Sequence, residues 1–131
     1  MCLCDGYVCL SGCRAADEYI VRHFDKYVRS TGNASNLSVL RVYDPDRRTS
    51  TVNDVVKRYC LLAADGSSFL APTCTDILHY KIIVTTLVTS LMLTRLGLRG
   101  HFTHIFIDEA AQVHMSLVVI HCKTHATQCL V

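Results

Sequence analysis

The stretch Ile105-Phe106-Ile107-Asp108-Glu109-Ala110-Ala111-Gln112 decides how this chain folds. Three apolar residues, two of them β-branched, lead directly into two adjacent carboxylates. Such a run predicts a buried strand that ends in charge, and open α/β sheets bind ligands beyond the carboxyl ends of their strands. A buried strand that ends in a solvated turn has the same pattern, so the other strands must decide between the two interpretations.

A second apolar run also ends in polar groups. The stretch Lys81-Ile82-Ile83-Val84-Thr85-Thr86 is nearly all β-branched, as expected of a strand buried on both faces of a parallel sheet. A helix is predicted from Leu87 to Leu96, with Gly97 or Gly100 as its stop. Strands that alternate with helices indicate a parallel sheet with right-handed crossovers. Both strands then place polar groups on one edge, which favours a ligand site there.

The earlier part of the chain predicts one amphipathic helix and several shorter elements. The helix begins near Ala15 and ends at Ser30-Thr31-Gly32-Asn33. A strand is predicted at 38–43, a short helix within 52–62, and another helix that begins at the cap Thr75 and ends near Tyr80. The apolar face of the first helix, which we expect to cover the sheet, consists of Ala16, Tyr19, Ile20, His23, Phe24 and Tyr27.

Composition excludes several classes of protein. The chain has 131 residues, is half apolar and carries a net charge of +2, so it is at most one domain, is long enough for a sizeable core, and is neither disordered nor strongly basic. The longest apolar run, 82–93, is too short and too rich in hydroxyls to cross a membrane. The start of the chain lacks a basic segment typical of signal peptides. We expect an intracellular protein, cytoplasmic with the nucleus also compatible, and no membrane partner.

The eight cysteines lie mostly at the two ends. The spacing C-x-C-x₄-C-x₃-C at the start fits a zinc knuckle poorly and favours free thiols on an apolar strand at 7–10. The tail offers four soft ligands, three of which a helix would place on one face, and these could hold zinc. A small Cys/His metal-binding module is therefore an alternative function. The residues concerned are Cys2, Cys4, Cys9 and Cys13, then His121, Cys122, His125 and Cys129.

Several segments occur in an order and at distances that resemble a known family. They are Ala15-Ala16-Asp17, Leu40-Arg41-Val42-Tyr43, Arg58-Tyr59-Cys60, Ile83-Val84-Thr85-Thr86 and the run from His101 to Gln112. Together they resemble the first RecA-like domain of superfamily-one, Upf-like helicases, in the helicase-with-zinc-finger branch and its Moloney leukaemia virus ten type relatives. The resemblance implies an α/β fold, here a partial RecA-like (P-loop NTPase) parallel sheet with flanking helices, and an ATP-dependent helicase activity.

The resemblance also assigns roles to individual residues. Asp108 resembles the acid that binds Mg²⁺ beside ATP, Glu109 the catalytic base, and Gln112 the residue that links the nucleotide site to the rest of the motor. Thr85 and Thr86 resemble hydroxyl residues that face the backbone of single-stranded RNA or DNA, with RNA favoured. Independently of the resemblance, these two threonines could cap the helix that follows.

The chain departs from the family at both ends. No G-x-x-x-x-G-K-[ST] phosphate loop occurs in it, and the resemblance divides it into a divergent Cys-rich start (1–14), a partial RecA-like helicase domain (15–112) and a divergent tail (113–131). We expect a truncated or mis-spliced product, or an incomplete gene model, that does not hydrolyse ATP alone. An RNA- or metal-binding module without ATPase activity, which could contact RNA through Thr85 and Thr86, stays open as the alternative.

Overall fold

A five-stranded parallel sheet organises the chain in the computed structural model. The strands lie in the order β2-β3-β1-β4-β5, so the first strand is the central one. The structure describes residues 6–10, 13–32, 38–98, 100–107 and 126–130, and it describes side chains in all but the first and last of these ranges. The strands are β1 (Gly6–Leu10), β2 (Val39–Arg41), β3 (Ile82–Thr85), β4 (Phe102–Ile107) and β5 (Ala126–Leu130).

Helices flank this sheet, which confirms the predicted α/β class and the parallel strands. The segments α1 (Cys13–Tyr19) and α2 (Asp25–Thr31) are joined by a π-helical turn, Ile20–Phe24, into one continuous helix, called the long helix below. A 3₁₀ turn at Thr49–Thr51 and three helices follow: α3 (Asp54–Lys57), α4 (Cys74–His79) and α5 (Leu87–Thr94). In the described residues, no helix is long and apolar enough to cross a membrane.

The sheet separates two hydrophobic cores. Neighbouring residues of a strand face opposite sides, and in β3 Ile83 contributes to one core while Val84 contributes to the other. Both are almost completely buried, which confirms that this strand is covered on both faces. Helices α4 and α5 pack on the Ile83 side, and the long helix packs on the Val84 side.

The long helix begins and ends close to the predicted positions. Its C-terminal residue is followed by Gly32 at φ 63°, and the amide of Gly32 donates to the carbonyl of Val28 over 3.1 Å. A glycine in the left-handed region is the usual way to end a helix, because it adopts that conformation without a Cβ clash. The predicted stop is therefore confirmed.

Only half of the predicted apolar face of the long helix is covered. Ala16, Ile20 and Phe24 are buried against the sheet. In an ordinary α-helix a row of residues four apart drifts by about 40° per step. The wider π turn, closed by the Asp25 amide on the Ile20 carbonyl, counters this drift and keeps such rows nearly straight. The other predicted members, Tyr19, His23 and Tyr27, form a second row that is exposed.

Helix α4 begins two residues earlier than predicted, so the assignment of Thr75 as its cap is wrong. The N-cap is Thr73, whose hydroxyl oxygen accepts the amide hydrogen of Asp76 over 3.2 Å. In return the Asp76 carboxylate accepts from the amide of Thr73 over 2.8 Å. This reciprocal capping box needs an acceptor three residues after the cap. Leu78 occupies that position relative to Thr75, and it cannot accept a hydrogen bond through its side chain.

We predict that the two threonines of this segment respond differently to truncation. Thr73→Ala removes the cap and should lower the free energy of unfolding by about 1 kcal/mol. Thr75→Ala, at an exposed position within the same helix, should change it by less than about 0.5 kcal/mol. Chemical denaturation followed by circular dichroism measures both. Equal losses in the two variants would contradict the assignment of Thr73 as cap.

Candidate ligand site at the carboxyl edge of the sheet

The carboxyl ends of three neighbouring strands are aligned. Leu10 of β1 is in register with Thr85 of β3 on one side and with Ile107 of β4 on the other. The chain leaves β1 toward β2 and leaves β4 toward β5, in opposite directions along the sheet. Ligands of open α/β sheets bind in the crevice where the connections diverge in this way. The candidate site therefore lies between the carboxyl ends of β1 and β4.

Thr85 presents no free hydroxyl at this edge. The residue is fully buried, and its hydroxyl donates to the carbonyl of Val42 over 3.2 Å. That bond joins the segment after β2 to the end of β3. The predicted contact of Thr85 with nucleic acid stays a prediction, and it would have to be made by the main chain.

Thr86 is the N-cap of α5. Its hydroxyl oxygen accepts the amide hydrogen of Thr89 over 3.2 Å and lies 2.8 Å from the Thr89 hydroxyl oxygen, to which it donates. The capping role is therefore observed, while the role in nucleic-acid binding stays a prediction. Thr86 is half-buried and directly precedes the eight residues of α5. The main-chain amides of the first turn of this helix point outward beside it.

The predicted catalytic group lies outside the described residues. Asp108, Glu109 and Gln112 follow Ile107, the last described residue of β4. Their assigned roles in binding Mg²⁺, activating water and coupling the nucleotide site stay predictions. Of the predicted zinc ligands, His121, Cys122 and His125 also lie outside the described residues.

Metal binding by cysteine and histidine finds no support in the described part of the chain, which contains no group of three or more metal-binding side chains. Cys13, Cys60 and Cys74 are free thiols. Burial raises the pKa of Cys60 to about 12, so this thiol stays protonated at neutral pH. Cys129 lies in β5, so the helix that would place three of the tail ligands on one face does not extend to this residue. Zinc binding by the tail stays an alternative hypothesis.

A buried arginine beside the edge was not predicted as a structural element. The side chain of Arg41, the last residue of β2, is completely buried. Its Nε donates to the Asp17 carboxylate over 2.9 Å, and its Nη1 donates to the carbonyls of Val42 and Val84 over 3.2 and 3.3 Å. A buried guanidinium needs such partners because its charge is otherwise very unfavourable. The signal in the sequence was a lone arginine within an apolar strand.

Tyr43 completes the cluster around Arg41. The guanidinium carbons of Arg41 and Arg47 lie 4.2 Å and 4.9 Å from the centre of its ring. Its hydroxyl donates to Asp17, and burial together with this bond raises the pKa of Tyr43 well above its usual range. Arg47 also donates to the sulfur of Cys13 over 3.0 Å. The cluster thus connects the start of the long helix to the segment after β2.

We predict that two adjacent carboxylates of the long helix differ strongly in importance. Asp17→Asn leaves the buried Arg41 without a counter-charge and should lower the free energy of unfolding by about 3 kcal/mol. Glu18→Gln is the matched control, because Glu18 pairs with Arg14 and Arg22 in solvent. It should change stability by less than about 0.5 kcal/mol.

Urea denaturation of the two variants beside the wild-type chain measures these differences. A wild-type midpoint for Asp17→Asn would show that Arg41 does not depend on this carboxylate.

These features define an open α/β domain whose neighbouring strands end in register at the carboxyl edge of a parallel sheet. The chain is 43% identical over 106 residues to the "Probable helicase with zinc finger domain" of Homo sapiens, a match that covers 80% of this chain and 5% of that protein. It is 38% identical over 106 residues to the "3'-5' exoribonuclease HELZ2" of Mus musculus (81% and 4%). It is 33% identical over 106 residues to the "RNA helicase Mov10l1" of Homo sapiens (80% and 8%).

The chain therefore belongs to the helicase family that contains these proteins, as a segment of it. It spans between 4% and 8% of the length of the three relatives described above. No family model matches the chain, and no solved structure gives a significant match. The resemblance stated from the sequence is confirmed.

Proposed function

We propose that this segment is part of the RecA-like motor domain of an RNA helicase, and that its carboxyl edge forms one wall of the ATP site and part of the RNA path. The alignment of Thr85 and Ile107 with Leu10 carries the proposal. Asp108 directly follows Ile107 in the sequence, so the predicted acidic pair and the Thr85-Thr86 pair follow strands that end at one edge. The family relationship supports the same interpretation.

The acidic pair suits nucleotide hydrolysis. Carboxylate oxygens are the ligands that Mg²⁺ prefers, and Asp108 would hold this ion. Glu109 would orient a water molecule and accept its proton as the water oxygen bonds to the γ-phosphorus, while the bond from that phosphorus to the bridging oxygen breaks and ADP leaves. Gln112, in the segment after the acidic pair, would couple ATP binding at the nucleotide site to the rest of the motor. When bound, Mg²⁺ and ATP supply the neutralised phosphate chain and the phosphoryl group that is transferred.

Main-chain groups at the start of α5 would contact the RNA backbone. The hydroxyls of Thr85 and Thr86 are both engaged within the protein. The first turn of a helix, however, directs amide hydrogens outward and favours anions. Val88, in this turn, is 70% exposed. Contacts of this kind position a nucleic-acid strand without selecting its sequence.

We predict that charge at position 86 controls RNA binding while the cap is preserved. Asparagine and aspartate both cap helices at least as well as threonine, so Thr86→Asn and Thr86→Asp should leave stability within about 0.5 kcal/mol of wild type. Thr86→Asp adds a negative charge facing the phosphates and should weaken the binding of a fluorescent 12-nucleotide uridine RNA roughly tenfold at low salt.

Fluorescence anisotropy on the 131-residue chain measures this effect, and the loss should shrink as salt is raised. Thr86→Asn is the neutral control and should bind like wild type. If Thr86→Asp also binds like wild type, RNA does not approach the start of α5.

We predict that Glu109 is essential for hydrolysis in a complete motor. The 131-residue chain contains no phosphate-loop motif and should show no ATP turnover alone. Residues 15–112, exchanged into the human "Probable helicase with zinc finger domain", should give a chimaera that releases phosphate from ATP in the presence of RNA. Glu109→Gln in this chimaera should reduce phosphate release at least a hundredfold.

Two results would contradict this assignment. One is a folded chimaera whose turnover does not respond to Glu109→Gln. The other is turnover by the 131-residue chain that disappears in its own Glu109→Gln variant, which would show that the phosphate loop is not needed.

A further inference from the structure

The long helix carries an exposed aromatic row beside the helix face that it buries. Tyr19 and Tyr27 are 55% and 49% exposed, and His23 between them is exposed as well. The rings of Tyr19 and His23 lie 5.5 Å apart with their planes inclined by 39°. Because the π turn keeps residues four apart in line, Tyr27 continues this row on the same side, about 12 Å along the helix from Tyr19. We call these three residues the aromatic row.

Basic side chains accompany the aromatic row. Arg22 and Lys26 each precede a member of the row by one position, so they lie along its solvent side. The side chains of Arg14 and Arg22 are 93% and 70% exposed, and both pair with the single carboxylate of Glu18 over distances of 3.4 and 3.7 Å. Three cations thus accompany one exposed carboxylate, and the solvent side of the row is positively charged.

Exposed rings that alternate with cations are the features that bind single-stranded nucleic acid, because bases stack on the rings and phosphates meet the charges. We propose that the aromatic row is a stacking surface for single-stranded RNA, with the phosphates held by Arg22 and Lys26. The surface starts near the carboxyl edge, where the long helix follows β1, and leads away from it across the sheet. The proposal rests on the proposed role of this segment in RNA binding and adds a second surface to it.

A protein segment is the competing occupant of this face. A groove of about 430 Å³ lies between the long helix and Phe106 of β4, with Tyr19 at its rim. The groove is lined by apolar side chains and would suit an apolar peptide. Neither Tyr27 nor Lys26 lines the groove, so a peptide lying in it does not explain the cations or the far end of the aromatic row. Single-stranded RNA would contact both the cations, through its phosphates, and Tyr27, through a stacked base.

Crosslinking of the 131-residue chain to a 12-nucleotide RNA containing 4-thiouridine locates the contacts. Trypsin separates Tyr19 (peptide 15–22) and Tyr27 (peptide 27–29) from Thr86 (peptide 82–95). Crosslinks in the first two peptides are expected. Crosslinks confined to 82–95 overturn the stacking surface and leave binding at the edge intact. Crosslinks confined to the long helix keep the stacking surface and overturn binding at the edge. If the chain binds no RNA at low salt, both proposals fail.

Variants test the chemistry of the aromatic row by anisotropy with the same RNA. Tyr19→Leu with Tyr27→Leu removes the rings and should weaken binding roughly tenfold, whereas the matched Tyr19→Phe with Tyr27→Phe should stay within about twofold. Lys26→Gln should weaken binding and reduce its dependence on salt, whereas Lys81→Gln, an exposed lysine at the amino end of β3, should do neither. A leucine pair that binds like wild type overturns the proposal and leaves the face to a protein occupant.

Discussion

The buried guanidinium of Arg41 holds the carboxyl side of this domain in one arrangement. Its bonds reach Asp17 on the long helix and the carbonyls of Val42 and Val84 at the ends of two strands. Asp17 and Val84 belong to two other elements, so their bonds to Arg41 form only when the long helix and β3 are correctly placed. A buried charge of this kind is weak as a source of net stability, but an unpaired one is severely unfavourable. The free-energy cost of leaving Arg41 unpaired therefore destabilises alternative arrangements more than its bonds stabilise the native one.

Sequence reasoning succeeded where a pattern depends on local physics. The β-branched run of β3 and the helix of α5 follow from periodicity and from the capping ability of Thr86, and both are present. It was less successful where the tertiary structure chooses between equivalent residues. The pattern of the long helix predicts one wide apolar face, but only the row through Ile20 finds a covering sheet, while the row through Tyr19 does not.

At the two ends of the chain, too, the position of each strand in the sheet depends on the tertiary structure and not on local patterns. Residues 7–10 were predicted as a strand only within a divergent start, yet β1 occupies the centre of the sheet. Residues 126–130 were interpreted as part of a tail with possible metal ligands, and they pair with β4 as β5. Nothing in their composition specifies a neighbour, because pairing partners are set by the whole topology. For the site, the alignment of strand ends was predictable from parallel pairing, whereas the inward bond of Thr85 was not, because burial of a hydroxyl depends on what packs above it.

The order of the strands has a consequence for how the chain is made and folded. Of the five described strands the central one is synthesised first, and Tyr7 acquires its partners Ile82 and His104 only when roughly 75 and 97 further residues have been made. Until then β1 exposes two open edges, and β2 has no neighbour either because β3 separates it from β1. Non-local pairing of this kind makes folding slow. Until β3 has been made, the nascent chain thus carries an unpaired apolar strand, and exposed strand edges of this kind favour aggregation.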